Sequence, residues 1–431
     1  MTAIRSLTRW VSLVAAIGAC AGPKAPESRP RVVWDYVVRI GPEGDLDAEG
    51  TFVGARGELH VDDDAAPFLS GLVRDGDHAR WHVRLRELAK TKADVDTAIA
   101  LGGAIFAPPS SWLVRPSDVP EGRYRFRVEP ADRFVTGVRA NGDAYEADAD
   151  TLDEATFAAF GKMRVRRVAE PAFDAAIAPE VALSDEVVAK WLGREIDAIA
   201  RWLGRPPDGR ATIFFAPGTQ DVTRGKTIGA GGASVLVRIG TKVTAENVLD
   251  DWVVAHELIH VGFPNVEPEN TWFAEGLATY AEPIARVRAG LIGREKFWGD
   301  LVDGLPRGVP KGKPLVGESD FGRVYWGGAL YFLLADLGVR EQTNGKRSLD
   351  DAIRAVVATG ANGETTWTLA RVLDTCDAAT GTTLFHDLHR ELALAPGGRD
   401  VPALFRRLGV SKNGFDDTAP LAKLRDAITA P

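Results

Sequence analysis

A chain of 431 residues with 45% hydrophobic and 26% charged content is too long for one compact core and suits two or three domains, because single cores stop growing near roughly 250 to 300 residues. Lysine and arginine number 52 against 60 aspartates and glutamates, a formal net charge of −8, and no basic block is present that would follow a phosphate backbone. Nucleic acid is therefore excluded as an expected partner.

Residues 1–20 have the grammar of an export signal: Arg5 and Arg9 precede an apolar run, VSLVAAIGA, that ends at Cys20. The run is far shorter than the roughly 20 residues of a spanning helix, so a transmembrane anchor is not expected. Ile17-Gly18-Ala19-Cys20 resembles the lipobox of bacterial lipoproteins, which implies cleavage before Cys20 and a lipid on its sulfur; a plain secretory signal cut nearby is the alternative. The polar, proline-rich residues 21–30 would then be a tether, and the protein would sit exported in the cell envelope, on the outer membrane or its periplasmic face. Cys376 is the only other cysteine, so no disulfide framework exists and this thiol is expected to be a small buried residue.

Residues 31–170 read as a β-rich domain. RVVWDYVVRI, WHVRLREL and YRFRV alternate in character, and in the last Tyr124, Phe126 and Val128 face one way while Arg125 and Arg127 face the other. From about residue 184 the period becomes helical, with Val187, Val188, Trp191, Leu192, Ile196, Ile199, Trp202 and Leu203 on one stripe. ATIFF and the glycine-led GAGGASVLVRIG follow as strands. Residues 180–345 form the expected second domain, and 346–431 a helical C-terminal region that includes SLDDAIRAVVA, where Ser348 and Asp351 approximate a capping box.

The chemistry lies in AHELIHVGFPNVEPENTWFAEGLATYAE, residues 255–282. Residues four apart on a helix share a face, with Cβ atoms roughly 5 to 6 Å apart, so His256 and His260 can direct their imidazoles at one zinc ion. Glu257 lies about 100° round the helix, poorly placed as a ligand but well placed to reach an attacking water. A core helix that merely contains two histidines is the plainer reading, yet burying two histidines and a glutamate among Val253, Val254, Leu258 and Ile259 leaves their desolvation without compensation. A short loop returns a second helix carrying Glu275, the expected third ligand, and Glu282 lies two turns further, spaced to accept the free ring N–H of a ligand histidine.

HELIH followed by WFAEGLATYAE resembles the gluzincin metallopeptidases, the group containing aminopeptidase N and leukotriene A4 hydrolase. RVRAGLIGREKF and VYWGGALYFLLADLGVREQTNGKRSLDDAIRAVV extend the likeness to the glycyl aminopeptidase family, from about residue 184 to about 425. The resemblance implies an α+β fold with an N-terminal β-rich domain, a thermolysin-like zincin domain and a helical C-terminal region. It also implies one zinc per chain on His256, His260 and Glu275, Glu257 as general base, Tyr325 as the transition-state donor, and a peptide or protein substrate. Gly327 stands where relatives have a lysine, and GAGGASVLV lacks the glutamate that holds the substrate's α-ammonium in aminopeptidase N. The amine would then meet another acid, Glu318 or Asp320, or go unrecognised. An aminopeptidase is the expected activity; an endopeptidase of the same fold and a non-catalytic envelope lipoprotein are the alternatives. The glycine-led strand is also expected to have an unpaired edge able to bind an extended peptide. His386 and His389 lack a third ligand nearby and read as surface residues.

Overall fold

Alternating apolar and charged residues produce the strands Val32–Ile40 and Arg123–Glu129, which pair in parallel at the centre of a seven-stranded sheet. Trp34, Tyr36 and Val38 join Tyr124, Phe126 and Val128 in the core, while Arg125 Nε donates to Asp35 Oδ1 at 3.1 Å on the wet face. This computed structural model describes residues 31–119, 121–169, 173–207, 210–309, 313–395, 399–412 and 414–431. The export signal, Cys20 and the tether at 21–30 lie outside those residues. Within WHVRLREL only the first part is extended: His78–Val83 is a strand, and Leu85–Lys92 is a helix. Leu85, Leu88 and Ala89 are all buried, and that spacing of three and four overrides the apparent alternation.

A second, five-stranded sheet carries the other half. Its strands are β1 (Arg164–Ala169), β2 (Phe173–Ile177), β3 (Ala211–Pro217), β4 (Thr223–Ile228) and β5 (Ala233–Ile239), in the order β1-β2-β3-β5-β4. β1 thus falls inside the span read as the N-terminal domain but pairs with the second sheet. Helix α1 (Asp185–Leu203) connects the parallel strands β2 and β3, and Ser184 caps it by accepting from the Val187 amide at 3.3 Å. One face of the sheet buries Ile213, Phe215, Val235 and Val237 with the helices. The other buries Phe214 and Leu236 against Leu101, Phe106 and Phe157 of the N-terminal half, which fixes the two halves on either side of a cleft.

The glycine-led segment expected to present a free edge is β5, and it lies inside the sheet, bonded to β3 and β4. The edge belongs to β4, TRGKTI, whose glycine and polar residues give no hydrophobic period to read. Helices α2 (Val253–Gly262), α3 (Thr271–Arg288), α4 (Arg294–Gly308), α5 (Phe321–Gln342) and α6 (Leu349–Ala358) follow. The Ser348 amide donates to Asp351 Oδ2 at 2.9 Å, completing the expected capping box, and Cys376 is buried. No helix among the described residues is long and apolar enough to cross a membrane.

Candidate metal centre

Helix α2 is apolar on nearly every side because it passes between the sheet and the helical region; Val253, Val254, Leu258 and Ile259 fill its packed faces. The remaining face presents His256, Glu257 and His260. Glu275 arrives from α3, which the short loop folds back against α2. Where α3 crosses α5, Gly276 and Gly328 touch: a Cβ on Gly276 would lie 2.3 Å from the Gly328 Cα. That close crossing brings Tyr325, one turn before Gly328, to the same cleft as Glu275.

Three ligand atoms converge. His256 Nε2 lies 3.1 Å from Glu275 Oε2, His260 Nε2 lies 3.5 Å from the same oxygen, and the two Nε2 atoms are 3.4 Å apart. Donors of a tetrahedral zinc at bond lengths of about 2.0 to 2.2 Å sit roughly 3.3 to 3.6 Å from one another, so the trio fits that ion. Among the described residues this is the one group of three or more His, Cys, Asp or Glu with ligand atoms so gathered. The site also favours positive charge: burial opposes a charged His260, yet Glu275 and Glu257 push its pKa up to about 9. Burial likewise works to raise the Glu275 carboxyl, and the two imidazoles hold it well below the usual carboxylate range.

Glu257 is buried and held from the edge strand. Thr227 Oγ1 donates to Glu257 Oε2 at 2.6 Å, and Gly225 leaves the space the glutamate fills, since a Cβ there would lie 2.3 Å from Glu257 Cγ. Tyr325 stacks on His256 with ring centroids 5.8 Å apart and planes at 11°. Its phenol pKa is raised by burial and by the Glu275 and Glu257 carboxylates, so it stays protonated as a donor. All of these groups except His256 line one cleft of about 920 Å³, whose lining also includes Asp94 and Asp96 of the N-terminal half.

Glu282 is not brought to a ligand histidine. Its Oε1 accepts from Arg286 Nη1 at 2.9 Å, and the buried Nδ1 of His256 has no hydrogen-bond partner. Seven residues carry Glu282 roughly 10 Å along α3 from Glu275, and the arginine on the next turn claims it instead. His386 pairs with Asp377 at 2.8 Å and takes no part in a metal group. Sequence reasoning missed Thr227, Gly225, and the aromatics Trp252 and Phe321 beside the site. Thirty residues separate Thr227 from Glu257, and no motif marks the contact.

No family model matches the chain, and no curated protein matches its sequence. Solved structures share its fold. An aminopeptidase N family protein from Idiomarina loihiensis aligns over 87% of this chain and 78% of its own at 12% identity, with a TM-score of 0.68. Native yeast LTA4 hydrolase aligns over 86% of this chain and 68% of its own at 13% identity, with a TM-score of 0.52. A two-domain M1 zinc metallopeptidase variant bound to L-arginine covers 87% of this chain and 95% of its own at 15% identity, with a TM-score of 0.50. Fold class is thus α+β, with the β-rich N-terminal part and helical C-terminal part expected from the sequence.

Proposed function

We propose that this chain is a zinc-dependent peptidase that binds one zinc through His256, His260 and Glu275 and removes residues from peptide N-termini. The observation that carries the reading is the near-equal spacing of the three ligand atoms beside a buried Glu257 held by Thr227 and a Tyr325 stacked on His256. When bound, zinc supplies Lewis-acid polarisation of the scissile carbonyl and acidifies the attacking water from 15.7 toward about 7.

Glu257 has one carboxylate oxygen engaged by Thr227 and the other, Oε1, available to take the water's proton and return it to the leaving amine. Tyr325 donates its phenolic hydrogen to the oxyanion as charge develops, a bond worth more in the transition state than in the ground state. The free edge of β4 borders the cleft with Gly225, Lys226 and Thr227, and it offers main-chain groups to an extended peptide by strand addition.

Recognition of an α-ammonium needs an acid. Glu318 is committed to Arg323 and to the Ser319 and Asp320 amides, and Asp320 caps α5 by accepting from the Arg323 amide at 3.0 Å. The cleft instead offers Asp94 and Asp96, the latter paired with Lys226, so the aminopeptidase reading assigns the amine to these two. The engagement of Glu318 and Asp320 favours a second reading, an endopeptidase on the same centre. In either form the chain would be exported and held in the cell envelope through a lipid on Cys20, a reading supported by the charge and apolar pattern of residues 1–20.

The deciding assay compares a peptide bearing a free N-terminus with its acetylated twin and identifies products by mass. Release of a single first residue from the free peptide alone supports the aminopeptidase. Equal internal cleavage of both selects the endopeptidase. Stoichiometric zinc without turnover of any peptide would leave a binding lipoprotein.

A further inference from the structure

We infer that a side pocket on the His256 flank of the metal centre binds an aromatic or large apolar side chain of the substrate, contributed by one of the two residues flanking the cleaved bond. The inference rests on the peptidase reading for its ligand, though the pocket can be tested without turnover.

Trp252 and Phe321 are the only exposed tryptophan, phenylalanine or tyrosine side chains among the described residues, at 46% and 66% accessibility. Single exposed apolar residues are ordinary on any surface, but these two converge on one place. The Trp252 ring meets His256 edge-on with centroids 5.3 Å apart, and Phe321 stacks on Tyr325 at 4.0 Å. Both line a cavity of about 380 Å³ whose wall includes His256 and Tyr325 and whose interior includes the buried Phe297 and Leu301. Its volume is in the range of small-ligand sites.

This cavity is distinct from the main cleft, and the two meet at Phe321 and Tyr325, which line both. A peptide lying in the cleft with its scissile carbonyl beside Tyr325 therefore has an apolar recess next to the reacting bond. The charged groups that line it are largely spent on ion pairs: Lys296 pairs with Asp300 at 2.7 Å, Arg286 with Glu282 at 2.9 Å, and Asp303 with Lys412 at 2.6 Å. Apart from Arg307 at the rim, what remains for a ligand is mainly aromatic and aliphatic surface, and its aromatic part is held by contacts with the metal-site residues. Edge-to-face and stacked contacts add to the gain from burial there, so aromatic side chains are favoured over small ones.

The test uses the full zinc-loaded chain and an alanine-based peptide series that places Phe, Leu, Ala or Glu at each position around the cleaved bond. At one flanking position the kcat/KM for Phe should exceed that for Ala by roughly tenfold or more. Trp252→Ala and Phe321→Ala should bring that ratio toward one, whereas damage to packing or metal binding would lower both rates together and keep the ratio. Equal rates for Phe and Ala at every position overturn the inference. So does a preference for Glu, which would move recognition to the exposed Arg307 on the rim.

If no peptide is cleaved, the peptidase reading falls and calorimetry decides the pocket. Acetyl-phenylalanine amide should bind the same protein at least about tenfold more tightly than acetyl-alanine amide, a difference lost in the double variant. Equal affinities overturn it.

Discussion

Thr227 donates its hydroxyl to the Glu257 carboxylate at 2.6 Å, so the strand that borders the substrate cleft also holds the proton acceptor. A hydrogen bond to a charged group is worth roughly 1.5 to 3 kcal/mol, and this one fixes which oxygen of Glu257 is left for the water. Thr227→Val keeps the shape and removes the donor. We expect kcat to fall by roughly tenfold with KM little changed and zinc fully retained, and Thr227→Ser to restore most of the loss. A Val variant as active as wild type would remove Thr227 from the mechanism. Gly225→Ala should be more damaging still, because the added Cβ enters the space of the Glu257 side chain.

The ligand and the base separate by metal content. His260→Ala removes one of three donors, and elemental analysis of metal-loaded protein should find most of the zinc gone. Glu257→Gln leaves the donors intact and cannot accept a proton, so it should keep zinc while losing at least about 10²-fold in turnover. Full zinc in the first variant, or wild-type turnover in the second, would contradict the roles assigned to these residues.

The metal trio was legible because it depends on local geometry: the helical period sets His256 beside His260, and a short loop leaves few places for Glu275 to go. Tyr325 came only through family likeness, since nothing in its own neighbourhood marks it. Glu282 shows the limit of periodicity, which gives a face but not the partner on the next turn. The edge strand was invisible for a different reason. Its sequence, TRGKTI, has a glycine where Glu257 must pack and a lysine that pairs with Asp96 of the other half, and both are demands of tertiary structure. Nothing in the sequence marks Trp252 and Phe321, and it is the fold that leaves them at the surface beside the metal site.

Location is tested at the N-terminus. With Cys20 closing the apolar run, Cys20→Ser should block lipid attachment and release the protein from the membrane fraction of its host. Native protein recovered soluble, without lipid and with Met1 in place would discard the export reading.

The last prediction concerns a buried charge cluster behind the metal site. Arg286 faces two carboxylates, Glu282 at 2.9 Å and Glu195 at 3.2 Å, so one buried cation meets two buried acids. Burial pushes both carboxyls up to about 7, although Arg286 opposes the shift. An unfolded glutamate titrates near about 4.3, so between that value and 7 the folded chain binds more protons than the unfolded one. By linkage the contribution of these groups to stability is then fully present below about pH 4.3 and is lost as the pH rises through about 7. Glu282→Gln removes one of the two titrations and leaves Arg286 paired with Glu195 alone. Its thermal midpoint should therefore decline less than that of wild type between about pH 5 and about pH 7.5, when both are melted in the same buffers. Since other titrating groups are common to the two proteins, their difference isolates the cluster. Parallel curves would mean that Glu282 is already ionised across this range and that Arg286 compensates it fully.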